Sequence, residues 1–80
     1  MNDSDILQHI QQLVMEEHEL MNSAEEQPLS EEQRTRMQQL QVHLDQLWDL
    51  LRQRRARREF GLNPNEASER DPSTVEHYLQ

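Results

Sequence analysis

Acidic residues and histidines are concentrated at two points of this chain, and such residues can hold metal ions. Residues 16–19 read Glu-Glu-His-Glu, and His43 is followed two residues later by Asp45. Di-iron sites in helical bundles need Glu-x-x-His pairs on facing helices, and the sequence contains no Glu-x-x-His. Glu17 alone falls on an apolar stripe, where a partly solvated polar residue can set the register between helices. We therefore expect neither a metal ion nor another cofactor.

Side chains suited to nucleophilic catalysis are equally sparse. The chain has no cysteine and one glycine, so it lacks a thiol nucleophile and a glycine-rich phosphate loop. Its serines fall at predicted helix ends or in the C-terminal segment. The sequence predicts a protein that is not an enzyme.

A run of arginines is the most distinctive feature, and it allows two interpretations. It could bind an acidic protein or, less favoured, the phosphates of a nucleic acid. Alternatively it is a solvated helix end, since cations stabilise the negative end of a helix dipole. Aromatic residues, which would stack on bases, are not interleaved with it. The run consists of Arg52, Arg54, Arg55, Arg57 and Arg58.

Two aromatic residues are the remaining candidates for binding. Trp48 falls on an apolar stripe, where an aromatic side chain is expected to be part of the core. If it is exposed instead, it marks a binding surface. Tyr78 is either the anchor of a docked C-terminal turn or part of a short binding peptide.

Length and composition exclude several classes of protein. Eighty residues allow one small domain, and a disulfide-stapled module needs cysteines that the chain lacks. The longest uninterrupted apolar run is three residues, Leu13 to Met15, which is far too short to span a bilayer. The acidic N-terminus does not have the form of an export signal. We expect a cytoplasmic protein that does not associate with membranes.

The net charge of −8 is unevenly distributed along the chain. Residues 1–33 carry nine acids and no base, whereas residues 34–58 carry seven arginines and two acids. Residues 59–80 are acidic again, with five acids and one arginine. This alternation suggests that the acidic first segment lies against the basic second one.

The first segment is predicted to be an amphipathic helix over about residues 5–26. Its apolar positions recur at spacings of three, four and seven, which places them on one stripe. Ser4 or Asp3 is the expected N-cap. The stripe consists of Ile6, Leu7, Ile10, Leu13, Val14, Leu20, Met21 and Ala24.

The second segment is predicted to be a longer helix over about residues 31–60. Ser30 and Gln33 have the spacing of a capping box, and Gly61 suits the position just after a helix end. The apolar stripe comprises Met37, Leu40, Leu44, Leu47 and Leu51, flanked by Trp48 and Leu50.

A short turn around Pro28 makes the two helices antiparallel neighbours. The fold class is therefore all-α, an antiparallel two-helix hairpin resembling a coiled coil over residues 1–60. Pairing the stripes across the turn places Asp3 and Asp5 beside Arg52 and Arg54, so the apolar and charge patterns indicate the same register.

Residues 61–80 are interpreted as a flexible C-terminal tail. An irregular, mobile linker is expected at 61–72, because this stretch is rich in turn-forming and polar residues. A short helical turn follows, with Val75, Tyr78 and Leu79 as its apolar residues.

The two stripes are wider than one hairpin can bury. Leu7, Val14 and Met21 widen the first stripe, and Trp48 and Leu50 widen the second. Two such hairpins can cover each other by forming a two-fold symmetric four-helix bundle. We expect a homodimer, and the alternative is a monomer whose C-terminal turn covers the stripe. In either case the sequence favours a non-catalytic protein-interaction module, with a nucleic-acid-associated regulator as the alternative.

The chain resembles a family of short bacterial proteins classed as a domain of unknown function. The similarity covers nearly the whole chain, and the block at 44–58 is its most specific part. The resemblance implies a complete, small, helical, cytoplasmic protein and implies no activity or site residues. The matching stretches are DIL at 5–7, EEHEL at 16–20, LDQLWDLLRQRRARR at 44–58 and VEHYLQ at 75–80.

Overall fold

Two long helices account for most of the structure, a computed structural model that describes residues 1–73. Helix α1 spans Asp3–Glu26 and helix α2 spans Glu31–Glu59. A short 3₁₀ helix follows at Pro64–Glu66, and residues 1–73 contain no strand. The all-helical class and both helix positions are therefore confirmed within a few residues.

Helix α1 begins with a capping box at Asn2, one residue before Asp3 and two before Ser4, the two predicted caps. The Asp5 amide donates to Asn2 Oδ1 at 2.9 Å, and the Asn2 amide donates to Asp5 Oδ2 at 3.2 Å. Asn2 is therefore the N-cap, and the prediction of Ser4 or Asp3 was wrong. Asn2 is the N-cap because Asp5 follows it at the third helical position, where the Asp5 carboxylate can accept a hydrogen bond from the Asn2 amide.

Helix α2 begins at the predicted capping box. The Gln33 amide donates to Ser30 Oγ at 3.1 Å, and the Ser30 amide donates to Gln33 Oε1 at 2.8 Å. Only residues 27–30 separate the two helices. So short a connection forces the chain to reverse, and α1 and α2 pack as an antiparallel hairpin.

The end of α2 is closed by a glycine in the left-handed region. Gly61 has φ +72°, a conformation that costs glycine little because it has no Cβ. The Gly61 amide donates to the Arg58 carbonyl at 3.1 Å, and the Leu62 amide donates to the Arg57 carbonyl at 2.7 Å. This pair of bonds is a Schellman motif, and it turns the chain back towards α2.

The core lies along the seam between the helices. Its side chains follow the predicted stripes, and Val14, Leu20, Leu51 and Ala67 pack against them while remaining partly exposed. The buried residues are Ile6, Ile10, Leu13, Leu40, Leu44, Leu47 and Leu50.

Trp48 and Leu50 differ in burial, although both were expected to flank the apolar stripe. Leu50 is buried, whereas Trp48 remains 45 % exposed. The expectation that Trp48 is a core residue was therefore wrong, because Trp48 lies on a flank that neither α1 nor the following segment covers. The second interpretation, an exposed tryptophan on a surface, applies instead.

Residues 61–73 form what we call the return segment, because they run back along α2 towards its N-terminus. Arg54 Nη1 donates to the Pro64 carbonyl, Gln53 Nε2 donates to the Ser68 carbonyl, and Gln46 Nε2 donates to the Arg70 carbonyl, at 3.2, 2.8 and 3.1 Å. Its path is irregular, as predicted, apart from the 3₁₀ helix and the helical residues Pro72 and Ser73. Its packing along α2 was not predicted.

Candidate interaction surface

The basic end of α2 is tied to the first turn of α1. Arg54 Nε donates to Asp3 Oδ1 at 2.5 Å, and Arg58 Nη2 donates to Asp3 Oδ2 at 2.6 Å. Arg54 is only 6 % exposed, and its Nη1 donates to the Pro64 carbonyl and to Asn65 Oδ1. Its guanidinium therefore serves the fold and is not available to a ligand.

The two arginines change the acidity of Asp3. Hydrogen bonds from Arg58 and then from Arg54 to the carboxylate lower the pKa of Asp3 from the usual 3.8 to about 2. Charge-assisted hydrogen bonds of this kind stabilise the ionised form. The carboxylate is therefore ionised, and paired, at neutral pH.

Of the other three arginines of the run, two lie near an acidic side chain and one does not. Arg57 Nη1 lies 3.5 Å from Glu66 Oε2, and Arg52 Nη2 lies 3.9 Å from Asp49 Oδ1. Arg55 is exposed and has no acidic partner within residues 1–73. The structure thus confirms the predicted proximity of Asp3 to Arg54, whereas Asp5, expected beside Arg52 and Arg54, is used in the cap of α1.

Asp49 is a buried acid that the sequence analysis did not single out. It is 3 % exposed, Gln53 Nε2 donates to its Oδ2 at 2.9 Å, and Arg70 Nε lies 3.4 Å from the same oxygen. Burying a carboxylate is costly unless it is paired and hydrogen-bonded. These contacts make Asp49 an anchor that holds the return segment on α2.

One flank of the hairpin is occupied by polar contacts between the helices. His9 and His43 meet edge to face, with ring centroids 4.9 Å apart. Two helical turns nearer the loop, Arg36 Nη2 donates to Glu16 Oε1 at 2.9 Å, and Arg36 Nε also donates to this carboxylate. Glu69 of the return segment reaches the same flank, with Oε1 lying 3.6 Å from His43 Nε2.

The opposite flank carries uncovered apolar side chains from both helices. Leu7 lies two residues before His9, and Val14 lies two residues before Glu16. This spacing places Leu7 and Val14 about 160° around α1 from those polar contacts. On α2, Trp48 lies five residues after His43, about 140° around the helix. We call this flank the open face, which consists of Leu7, Val14, Met21, Met37, Trp48 and Leu51.

Exposure confirms that the open face is uncovered in the single chain. Leu7, Met21 and Trp48 are 48, 55 and 45 % exposed. Val14, Met37 and Leu51 are half-buried at the seam. Exposed apolar side chains on the same flank of two helices are more typical of an interaction site than of a solvated face.

Charged side chains border the open face at the loop end. Glu25 lies about five full turns after Leu7 and therefore on the same line of α1. Arg34 lies two heptads before Trp48 and close to its line on α2. Both side chains are exposed, and neither makes an ion pair within the described part of the chain.

Tyr78, Glu17 and the acidic and histidine side chains are the remaining candidates named from the sequence. Tyr78 lies outside the described residues, as do Val75 and Leu79. Glu17 is half-buried. No group of three or more His, Asp or Glu side chains in residues 1–73 is placed to hold a metal ion. Over the same residues, neither helix has an apolar stretch long enough to cross a membrane.

Comparisons with known proteins agree with the resemblance noted from the sequence. Uncharacterised proteins of Mycobacterium bovis and Mycobacterium tuberculosis are each 44 % identical to this chain over 77 residues, covering 95 % of it and 88 % of each relative. No solved structure matches the chain significantly. The sequence profile of a family described as "Protein of unknown function (DUF2630)" matches residues 2–80, and the chain therefore belongs to this family.

Proposed function

We propose that this protein is a non-catalytic, cytoplasmic protein-interaction module that binds a second copy of itself through the open face. The two hairpins would then form a four-helix bundle, in which the coiled-coil-like stripes of both chains are buried. A chain without cysteine fits a reducing compartment, which supports the cytoplasmic assignment.

The observation that carries the proposal is the exposure of Leu7, Met21 and Trp48 on one flank. The other flank is already filled by polar contacts and by the return segment. A hairpin of this size buries a small core. Covering the open face with the same surface of another chain removes apolar area from water on both sides at once.

The distribution of charge favours a second copy of the chain as the partner, and it also favours one relative orientation of the two hairpins. Helix α1 carries seven acids and no base, while α2 carries seven arginines and five acids. A two-fold axis along the hairpins places each α1 beside α2 of the other chain, with both loops at the same end. An axis across the hairpins would instead place the two acidic helices side by side, which like-charge repulsion disfavours.

The first arrangement also pairs individual side chains. It places Glu25 of one chain opposite Arg34 of the partner subunit at the loop end. All four neighbouring helix pairs are then antiparallel, as in up-and-down bundles. This charge complementarity supports a second copy of the chain as the partner of the open face.

Nucleic acid and acidic proteins are less favoured partners. Of the arginines that would contact phosphates, Arg54 is buried, and Arg57 and Arg58 face Glu66 and Asp3. Binding an anion there would require breaking these pairs. Within the arginine run, only Arg55 has no acidic partner in residues 1–73, and one arginine gives little affinity for a phosphate backbone.

A pair of matched substitutions on α1 tests the proposal. Leu7→Glu places a charge on the open face, whereas Met15→Glu places the same charge on the outer side of α1, about 100° beyond Val14. Both original side chains are exposed. Sedimentation equilibrium should give a monomer for Leu7→Glu and a dimer for Met15→Glu, with helicity by circular dichroism equal in both.

Two outcomes would overturn the proposal. A Leu7→Glu variant that sediments as a dimer would exclude the open face as the interface. A wild-type chain that binds single-stranded RNA or duplex DNA at physiological salt, with Arg52→Gln and Arg55→Gln abolishing the binding, would favour the nucleic-acid-associated alternative.

A further inference from the structure

A shallow groove crosses α2 on a different side from the open face, next to the contact of His43 with α1. Its volume is about 290 Å³. Val42 lies in it with Thr35 and the aliphatic stems of glutamines around it. The lining residues are Thr35, Gln38, Gln39, Val42, His43 and Gln46.

The groove continues the path of the return segment. Asn65 contacts Arg54, Ser68 contacts Gln53, and Arg70 contacts Gln46, so the chain runs steadily towards the N-terminus of α2. Gln46 and His43 belong both to this contact line and to the groove. Beyond Gln46, the next surface on the same line of α2 is the groove itself.

The length of chain that remains fits the groove. From Gln46 to Thr35, α2 rises about 16 Å. Residues 71–80 span about 15 Å if helical and up to about 33 Å if extended. The C-terminus therefore comes close to the far end of the groove if the segment is helical and passes it if the segment is extended.

The sequence of the last seven residues has the chemistry that such a groove binds. Val75 is followed by Tyr78 and Leu79 at spacings of three and four, which puts the three apolar side chains on one side of a helical turn. The Ser73 amide donates to Asp71 Oδ1 at 2.8 Å, so Asp71 caps the start of this turn. Glutamine amides at the groove rim can hydrogen-bond a tyrosine hydroxyl.

We propose that residues 74–80 of the same chain dock in the groove lined by Thr35, Val42 and Gln46, with Val75, Tyr78 and Leu79 as the contacting side chains. The docked segment would extend the return segment into a third layer on α2. A turn this short is not stable in isolation, so its order would depend on the groove. This proposal is independent of the homodimer, because the groove and the open face lie on different sides of α2.

A spin label provides a direct test, because the chain has no cysteine and Gln80→Cys can be labelled uniquely. The nitroxide should broaden the amide resonances of residues 35–42 in the full chain. Broadening centred on Leu7, Met21 and Trp48 would overturn the proposal in favour of a C-terminal turn that covers the open face. Broadening spread evenly, or absent from α2, would also overturn it.

Two further samples separate the possible occupants of the groove. Adding Val42→Asp should abolish the broadening, whereas Gln12→Asp, an equal charge on the outer side of α1, should leave it unchanged. A mixture of nitroxide-labelled chains with unlabelled isotope-enriched chains should show no broadening at 35–42. Broadening there would mean that the segment of a second copy occupies the groove, which contradicts the proposal. Neither Val42→Asp nor Gln12→Asp should change the oligomeric state measured by sedimentation. A failure of the homodimer proposal can therefore be distinguished from a failure of the docking proposal.

Discussion

Asp3, in the first turn of α1, accepts a hydrogen bond from Arg54 in the last turns of α2, across 51 residues of sequence. Arg58 donates to the same carboxylate, and Arg54 also holds the Pro64 carbonyl of the return segment. The open end of the hairpin is therefore closed by one carboxylate and two guanidinium groups, of which that of Arg54 is buried. Two arginines of the run that could have bound a ligand, Arg54 and Arg58, are thus committed to this closure.

The acid sensitivity of the fold should depend on Asp3. Because the pKa of Asp3 is lowered from 3.8 to about 2 in the folded chain, its stabilising contribution is complete above pH 3.8 and is lost as the pH falls towards 2. Asp3→Asn should lower the melting temperature at neutral pH and flatten the loss of stability over this acidic range. Thermal unfolding at several pH values measures both effects.

A matched control makes the result specific to the Arg54 and Arg58 pairs. Glu19→Gln removes an exposed acid from α1 and should leave the acid dependence unchanged. If Asp3→Asn and the wild type lose stability in parallel between pH 3.8 and 2, the pairing with the arginines contributes nothing.

Two adjacent arginines should differ sharply in their effect on stability. Arg54→Met removes a buried group that makes charge-assisted hydrogen bonds and should cost about 2 kcal/mol of unfolding free energy. Arg55→Met changes an exposed side chain and should cost less than about 0.5 kcal/mol. Urea unfolding at a fixed protein concentration measures both. Equal effects of the two substitutions would refute the assignment of Arg54 to the closure of the hairpin.

The hairpin itself could be predicted because its signals are local. The Ser30 and Gln33 capping box and Gly61 mark the ends of α2, and the apolar spacing marks the seam. The cap at Asn2 was missed because three capping residue types are adjacent at 2–4, and only the acid at Asp5 decides between them.

The return segment could not be predicted in the same way. Its carbonyls at Ser68 and Arg70 accept from glutamines, and every residue has a carbonyl, so no side-chain pattern marks these contacts. Asp49 is buried only because this segment covers it, and on the sequence it is one acid among many. The exposure of Trp48 was missed for the complementary reason, since its stripe position does not reveal which flank stays uncovered.

Removing Asp49 should release the return segment while leaving the helices in place. Asp49→Ala removes the carboxylate that faces Arg70 and Gln53, so trypsin should cleave after Arg70 faster than in the wild type. Asp45→Ala, one turn earlier on α2, is the control and should not accelerate cleavage. Mass spectrometry of the early fragments quantifies the rates. Unchanged cleavage at Arg70 in Asp49→Ala would show that other contacts hold the segment.

The orientation of the hairpins in the homodimer can be read from two charges. With both loops at the same end, Glu25→Gln and Arg34→Gln should each weaken dimerisation, by about 0.5 kcal/mol for an exposed pair. The double variant should be no weaker than either single one. If the loops lie at opposite ends, Arg34 approaches the partner's basic end, and Arg34→Gln would strengthen the dimer instead.

Trp48 should contribute most to the affinity of the interface. Tryptophans at the centre of interfaces are often hot spots, and Trp48→Ala should raise the dimer dissociation constant about thirtyfold, equivalent to about 2 kcal/mol. Its emission should shift to longer wavelength on dilution of the wild type, as the indole becomes solvated. An emission maximum independent of concentration across the dissociation range would place Trp48 outside the interface.

The molar mass of the wild-type chain at micromolar concentration, measured by light scattering on a size-exclusion column, tests the central claim most directly. The proposal predicts a mass twice the 9.7 kDa of one chain, falling towards the monomer value on dilution. A mass of 9.7 kDa at every concentration, with the helical circular dichroism spectrum intact, would contradict it.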